Sequence, residues 1–349
     1  MNGAVPHPSP WLPTAPCTPG RHCAAHPDPA PAPGTAPAAF RPVPAPLACA
    51  RLAAGLATVL LGVLLLPAVG LLPAPGRLAL VRLWARTVVR AFGVRPTVTG
   101  TPPAPGRPAL VVANHVSWLD IPLVAAVLPG RMIAKREVRD WPVLGALAAL
   151  GGTLFIDRDG LRQLPGTVRE VAGVLAAGGR VTAFPEGSTW CGRAGGRFRP
   201  ALFQAAVDTG SDVQPVRIDY RPRGAAAYVG EDPLGASLWR VVRTPGMAGD
   251  IRILDPISVI QYPDRRLLAA AAQRAVDPSW PARPAPARPR TTPRHPAHPA
   301  AAPLPAVPRQ PAPAGYRAVA SDNANRPSPS VHHRDSSNPA AASSARTPS

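Results

Sequence analysis

Four short blocks of this sequence hold residue types that can do chemistry. In Asn114-His115-Val116-Ser117-Trp118-Leu119-Asp120 a histidine precedes an aspartate by five residues. An imidazole held at one nitrogen by a carboxylate can take a proton from a hydroxyl at the other, the carboxylate fixing the tautomer and stabilising the cation. The plainer reading makes Asp120 a cap and His115 a loop residue. The second block, residues 151–158, ends in Asp157-Arg158, and a planar guanidinium fork there suits a phosphate; an ordinary surface ion pair is the alternative. In the third, Phe184-Pro185-Glu186-Gly187-Ser188-Thr189, Pro185 and Gly187 impose a tight turn. That turn carries the Glu186 carboxylate and backbone N–H groups to the mouth of a cleft, and Ser188 and Thr189 add hydroxyl donors. The fourth, residues 213–218, has Pro215 inside a strand pattern, which places that strand at an edge or a bulge.

The elements that must position these blocks follow from hydrophobic periodicity. Strands are expected over 109–113, 131–134, 153–156, 181–184, 213–220 and 251–254, and helices over 118–128, 141–150, 161–177 and 201–209. Strands interleaved with helices of this length predict an α/β domain built on a mixed, largely parallel sheet flanked by helices. The first and third blocks each follow a strand directly, where such sheets place their sites.

Residues 52–72 carry no charge over 21 positions, enough to cross a hydrocarbon core of about 30 Å as a helix. A cleaved signal peptide would have a shorter apolar region nearer the start, and a buried core helix is disfavoured because the stretch has no polar face. The segment reads as a membrane anchor that crosses the bilayer or dips into one leaflet. Arg77, Arg82, Arg86 and Arg90 follow, so the side carrying them faces the cytoplasm. The four-residue spacing of the last three suits an amphipathic helix on anionic headgroups, or else a solvated face of an ordinary helix. The expected organisation is a disordered Pro-rich head (1–46), an anchor with its amphipathic helix (47–92), a catalytic domain (93–280) and a disordered basic tail (281–349).

Composition supports that division. Of the 51 prolines, 30 fall in residues 1–46 and 281–349, leaving ordinary globular composition between. The net charge is +19; the two ends hold +8, so the middle keeps +11. Such a balance fits an anionic partner. With 5% aromatic residues and no basic run interleaved with aromatics, the expected partner is a phospholipid membrane and not nucleic acid. All but one of the basic residues are arginine, Lys135 being the exception, the mark of a GC-rich genome. The four cysteines make no disulfide framework for a chain of this length. Cys17, His22, Cys23 and His26 cluster in the head, but adjacent His-Cys in a Pro-rich setting fits no common zinc pattern. No metal is expected.

Taken together and in this order, the blocks NHVSWLD, TLFIDRD, FPEGST and VQPVRI resemble those of the glycerolipid acyltransferase family over about residues 80–260. The resemblance implies an O-acyltransferase that needs no cofactor and forms no acyl-enzyme, with acyl-CoA or an acyl-carrier protein as co-substrate. It implies His115 as base, Asp120 as its orienting carboxylate and Arg158 on the acceptor's phosphate. Glu186 and Gly187 would shape the acceptor site with their neighbours Phe184, Pro185, Ser188 and Thr189, and Pro215 would line the acyl-donor side. The implied reaction converts 1-acyl-glycerol-3-phosphate to phosphatidic acid at a bacterial plasma membrane, the catalytic domain lying in the cytoplasm. One departure matters. The third block ends Ser188-Thr189 where lysophosphatidate enzymes usually have Thr-Arg. Arg193, Arg197 or Arg199 could replace that cation; equally, the acceptor could be a lyso-aminolipid of the ornithine type or another polar lyso-lipid. A non-catalytic lipid-binding scaffold is the third alternative.

Overall fold

The computed structural model describes residues 15–20, 22–27, 41–104, 106–141, 144–157 and 161–280. Arg158, the basic tail and most of the Pro-rich head lie outside them. An apolar helix α1 (Ala45–Gly70) and a second helix α2 (Ala74–Ala91) form a hairpin ahead of the sheet. Then come β1 (Arg95–Thr99), β2 (Ala109–Ala113), α3 (Asp120–Ala125), β3 (Arg131–Lys135), α4 (Leu144–Leu150), β4 (Leu154–Ile156), α5 (Leu164–Ala176) and β5 (Arg180–Ala183). The chain continues through α6 (Phe203–Thr209), β6 (Asp212–Arg221), α7 (Leu234–Arg243), β7 (Ala248–Ile253) and α8 (Arg265–Val276). The seven strands form one sheet in the order β1-β7-β6-β2-β5-β3-β4. Every pair is parallel except β6–β7.

Strand β2 shows why the sheet sits in the middle. All five of its residues are buried, and alternate side chains enter opposite cores. Val111 and Ala113 join the cluster that includes α2, α3 and α7, while Leu110 and Val112 join the cluster beneath α5, α6 and α8. A strand buried on both faces reads as a continuous apolar run, the mark of a central parallel strand.

Two expectations about strands need correction. Strand β1 was not anticipated, because RPTVT is almost wholly exposed and carries a proline; it survives at the sheet edge, where Pro is tolerated. Pro215 does not put β6 at an edge. That strand lies between β2 and β7, with Pro215 buried opposite Val112. The β7 ladder begins only at Val216, and an isolated bridge joins Val213 to Ile257. Pro215 lies opposite Leu254, whose N–H donates to the Pro215 carbonyl at 3.1 Å; the return bond that proline cannot make is supplied by the Gln214 side chain, Nε2 donating to the Leu254 carbonyl at 2.5 Å. Between this pair and the Val213–Ile257 bridge the partner segment carries one extra residue, a bulge.

Helix α1 is 26 residues long with only 6% of its apolar window buried, among the described residues the one helix long and apolar enough to cross a membrane. Its first turns are tied to the domain: Arg51 Nη1 donates to the Val242 carbonyl at 3.2 Å, and Val43 N–H donates to Arg243 at 2.9 Å. Helix α2 lies along α1, with Trp84 Nε1 donating to the Thr58 carbonyl at 2.9 Å. A Cβ on Gly62 would stand 2.3 Å from that indole, so glycine is what lets the helices approach. The apolar face of α2, Ala85, Val88 and Val89, is buried in the main core, leaving Arg86 and Arg90 outward. The buried part of that face is filled by protein, while Leu83 and these arginines stay exposed.

The described part of the head also differs from expectation. Cys17 and Cys23 are buried members of the main core, and Ala15 packs against it, so residues 15–20 and 22–27 are not simply loose chain.

Candidate active site

The site lies where three neighbouring parallel strands, β6, β2 and β5, end. Beyond Ala113 the β2–β6 pairing is continued by a side chain: Asn114 Nδ2 donates to the Ile218 carbonyl and Ile218 N–H donates to Asn114 Oδ1, both at 2.8 Å. This two-bond clasp leaves the next residue, His115, at the mouth of the sheet.

His115 Nδ1 and Asp120 Oδ2 are 2.8 Å apart, the histidine side chain 17% exposed and the aspartate fully buried. The same Oδ2 accepts backbone N–H bonds from Val116 at 2.7 Å and Ser117 at 2.9 Å. Asp120 opens α3, so its carboxylate closes the turn between strand and helix while gripping the imidazole. Capping and orienting are one job here. Its Oδ1 accepts from the Tyr220 hydroxyl at 2.6 Å. Burial, then the adjacent carboxylate, push the Tyr220 phenol well above its ordinary value, so it serves as a fixed O–H donor. Against the opposite side of His115 the Phe184 ring stacks at 4.1 Å between centroids. The imidazole is thus held by a hydrogen-bonded carboxylate and an aromatic plate, with one nitrogen left for a substrate hydroxyl.

Glu186 is the second buried carboxylate. Its Oε2 accepts from His115 N–H at 2.8 Å and its Oε1 from Gly196 N–H at 3.0 Å. Burial pushes its carboxyl up to about 8, against the two N–H bonds that pull it down. Gly187 turns with φ 76°, its N–H donating to the Phe184 carbonyl at 3.1 Å. The loop then folds back over Glu186: a Cβ on Gly195 would sit 2.8 Å from Oε1, and one on Gly196 2.4 Å from Trp190 Nε1. Trp190 N–H donates to the His115 carbonyl at 2.7 Å, and Tyr228 N–H to the Val116 carbonyl at 3.0 Å. The Thr189 hydroxyl donates to the Tyr228 carbonyl. Three loops are thereby knitted around the His–Asp pair.

The chain belongs to the acyltransferase family. The family model described as Acyltransferase matches residues 95–219, which hold every residue of the His–Asp and Glu186 arrangement except Tyr220. A lyso-ornithine lipid O-acyltransferase of Pseudomonas aeruginosa is 40% identical over 207 residues, covering 58% of this chain and 78% of that protein. A 1-acyl-sn-glycerol-3-phosphate acyltransferase of Neisseria gonorrhoeae is 42% identical over 146 residues, covering 40% of this chain and 57% of that one. The crystal structure of the acyltransferase PlsC from Thermotoga maritima has the same fold, with TM-score 0.52 at 23% identity over 66% of this chain and 91% of its own. The chain is therefore an O-acyltransferase with a mixed α/β sheet.

The structure of this acyltransferase brings together His115, Asp120, Phe184, Glu186 and Gly187. Pro185 is buried behind them, its carbonyl accepting from Arg199 N–H at 2.9 Å. Ser188 and Thr189 are half-buried. Pro215 is buried in β6, opposite Val112 of β2. Arg158 lies outside the described residues; its neighbour Asp157 follows β4, three strands from β2, or about 14 Å at the usual strand spacing. Arg197 and Arg199 are exposed. Sequence reasoning missed Tyr220, which arrives from a strand 100 residues downstream of Asp120 and carries no local signal. It also missed the pair Gly195-Gly196, whose adjacency in a loop was the available sign of a close approach.

One further donor set stands beside this site. Cys17, Cys23, His26 and Cys191 hold their ligand atoms within 4.8 Å of one another. The sequence set proposed and set aside for a metal had His22 where the structure has Cys191.

Proposed function

We propose that this acyltransferase moves a fatty acyl group from a thioester, acyl-CoA or acyl-carrier protein, to the free hydroxyl of a lyso-lipid, and that the acceptor is an ornithine-type lyso-aminolipid. The observation carrying the chemistry is the His115–Asp120 hydrogen bond at 2.8 Å, its carboxylate buried and its imidazole reachable from outside. His115 Nε2 takes the acceptor's hydroxyl proton as the oxygen attacks the thioester carbonyl. The new C–O bond forms, the C–S bond breaks, and the imidazolium returns the proton to the departing thiolate. Asp120 stabilises the cation in between. No side chain is acylated, so Ser117, which is fully buried, has no covalent role.

The acceptor reading departs from the lysophosphatidate that the sequence resemblance put first. Thr189 stands where lysophosphatidate enzymes usually carry arginine, and its hydroxyl is spent on the Tyr228 carbonyl, so this position offers no cation to a phosphate. The similarity to the lyso-ornithine lipid enzyme also extends further, 207 residues against 146. Lysophosphatidate stays as the second reading, favoured by the 42% identity to the Neisseria enzyme. Helix α1 would hold the protein in a bacterial plasma membrane by dipping into one leaflet, since its start is tied to the catalytic domain through Arg51 and Val43 and α2 returns along it. Both ends of the hairpin then lie on the side of the catalytic domain, proposed to be the cytoplasm, where acyl donors are found.

The test is an acyl-transfer assay on membranes carrying the full chain, offering lyso-ornithine lipid and lysophosphatidate with each donor. Faster acylation of the lyso-ornithine lipid is expected. Faster acylation of lysophosphatidate overturns the acceptor assignment, and unchanged transfer by His115→Ala overturns the mechanism.

A further inference from the structure

Three thiols and one imidazole meet where the head crosses the active-site loop. Cys17 and Cys23 come from the head, Cys191 from the loop two residues beyond Thr189, and their exposures are 6%, 2% and 0%. His26 Nδ1 lies 3.6 Å from Cys17 Sγ, 3.6 Å from Cys23 Sγ and 3.5 Å from Cys191 Sγ. One imidazole nitrogen can accept a single S–H bond, yet three sulfurs stand at one distance around it. None of the three is in a disulfide.

A tetrahedral ion accounts for that pattern. With Zn–S about 2.3 Å and Zn–N about 2.0–2.1 Å, sulfur and nitrogen ligands of a tetrahedral zinc are about 3.6 Å apart. We infer that Cys17, Cys23, His26 and Cys191 form a structural Cys3His zinc site. Four protein ligands close the coordination sphere, and soft thiolates with one imidazole select zinc over the hard cations. The turn that supplies Cys23 and His26 is already shaped: His26 N–H donates to the Cys23 carbonyl at 3.2 Å, and Ala24 N–H to Thr18 Oγ1 at 2.9 Å. The fourth ligand lies 165 residues beyond His26, which is why the sequence alone disguised the set.

The ion staples the head to the active site. Cys191 follows Trp190, whose N–H holds the His115 carbonyl at 2.7 Å, and His26 lies against the Trp190 ring, centroids 6.2 Å apart. The zinc would therefore fix the loop that positions His115 without touching substrate, a positioning role distinct from the chemistry.

The experiment is metal analysis of the full chain purified in detergent. About one zinc per chain is expected, and it should be lost in Cys191→Ser and in Cys17→Ser but kept in Cys49→Ser, whose sulfur is exposed on α1. Cobalt substitution should give the intense visible bands and thiolate charge-transfer absorption of a tetrahedral site. Alkylation of wild-type protein keeps the test open if the serine variants fail to fold: Cys17, Cys23 and Cys191 should label only after a chelator is added. Negligible zinc both as purified and after zinc reconstitution, equal zinc in the serine variants, or labelling of all four cysteines without chelator overturns the site.

Discussion

The Glu186 carboxylate holds the backbone N–H of the very histidine whose side chain Asp120 holds, at 2.8 Å in each case. Two buried acids thus set one residue, one through its main chain and one through its ring. Their electrostatic situations differ: Glu186 is raised to about 8 by burial. An acid whose pKa rises on folding binds its proton more tightly folded than unfolded, so stability falls as pH rises from its ordinary value of 4.5 towards about 8 and levels off above. The slope reaches about 1.4 kcal/mol per pH unit. Glu186→Gln removes this titration and turns an amide N–H against one of two backbone donors, a loss of about 1–3 kcal/mol. Below about pH 5 the variant should melt well under wild type, and the gap should narrow as pH rises. Melting midpoints of solubilised protein across that range check it; a gap that widens with pH contradicts the assignment.

Asp120→Asn should fold and fail. Its amide oxygen can keep the Oδ2 position, which three donors share, and its NH2 can donate to the Tyr220 oxygen. The tautomer therefore survives, and what disappears is the charge opposite the imidazolium. A fall of about 10³-fold or more in kcat is expected, with a stability loss of about 1–3 kcal/mol because the buried Tyr220 O–H then faces an N–H donor in place of its acceptor. Retained turnover would mean that Asp120 is only a cap.

Tyr220→Phe deletes the other partner of that carboxylate. A hydrogen bond to a charged group is worth about 1.5–3 kcal/mol, so the melting temperature should drop. kcat should fall far less than in Asp120→Asn, since Tyr220 steadies the carboxylate and does not meet substrate. Equal losses in the two variants would make the phenol part of the chemistry.

How much of this was legible in the sequence follows from where each signal lies. His115, Asp120, Phe184 and Glu186 sit in two runs that each follow an apolar strand, so local pattern sufficed to place them at strand ends. Tyr220 and Cys191 could not be read the same way, because their partners lie 100 and 165 residues away and only tertiary pairing joins them. Pro215 marked an edge or a bulge, and only tertiary pairing decides between them: β6 is central, and the proline sits beside the bulge between the β7 ladder and the Val213–Ile257 bridge, its missing N–H made good by the Gln214 amide. Helix α8 was overlooked although its cap was in view, Asp264 accepting from the N–H groups of Arg266 and Leu267, because its buried face is half alanine and includes a glutamine, which gives weak periodicity.

The hairpin of α1 and α2 yields a prediction about membrane attachment. Gly62 lies against the Trp84 indole, where a Cβ would come within 2.3 Å, so Gly62→Leu must pry the helices apart and break the Trp84–Thr58 bond. Removal of carbonate-extractable protein should leave wild type in the membrane pellet. Gly62→Leu should stay there too, since α1 only becomes more apolar, but with a lower melting temperature by roughly the 1–3 kcal/mol that overpacking costs. Wild type that washes off freely would make α1 a core helix instead of an anchor.

The acceptor is decided most sharply at position 189. Thr189→Arg restores the side chain usual in lysophosphatidate enzymes but forfeits the hydrogen bond to the Tyr228 carbonyl, at about 1 kcal/mol of stability. An arginine reaching a phosphate gains about 1.5–3 kcal/mol, equivalent to about ten- to a hundredfold in KM. If the site now takes a lyso-aminolipid, the substitution should lower KM for lysophosphatidate by that factor while changing KM for lyso-ornithine lipid much less, because a zwitterionic ornithine headgroup sets one carboxylate against an ammonium where lysophosphatidate offers a phosphomonoester. The ratio of the two kcat/KM values should therefore swing towards lysophosphatidate. A wild-type ratio already favouring lysophosphatidate, with no swing in the variant, would show that another cation serves the phosphate and that residue 189 does not choose the acceptor.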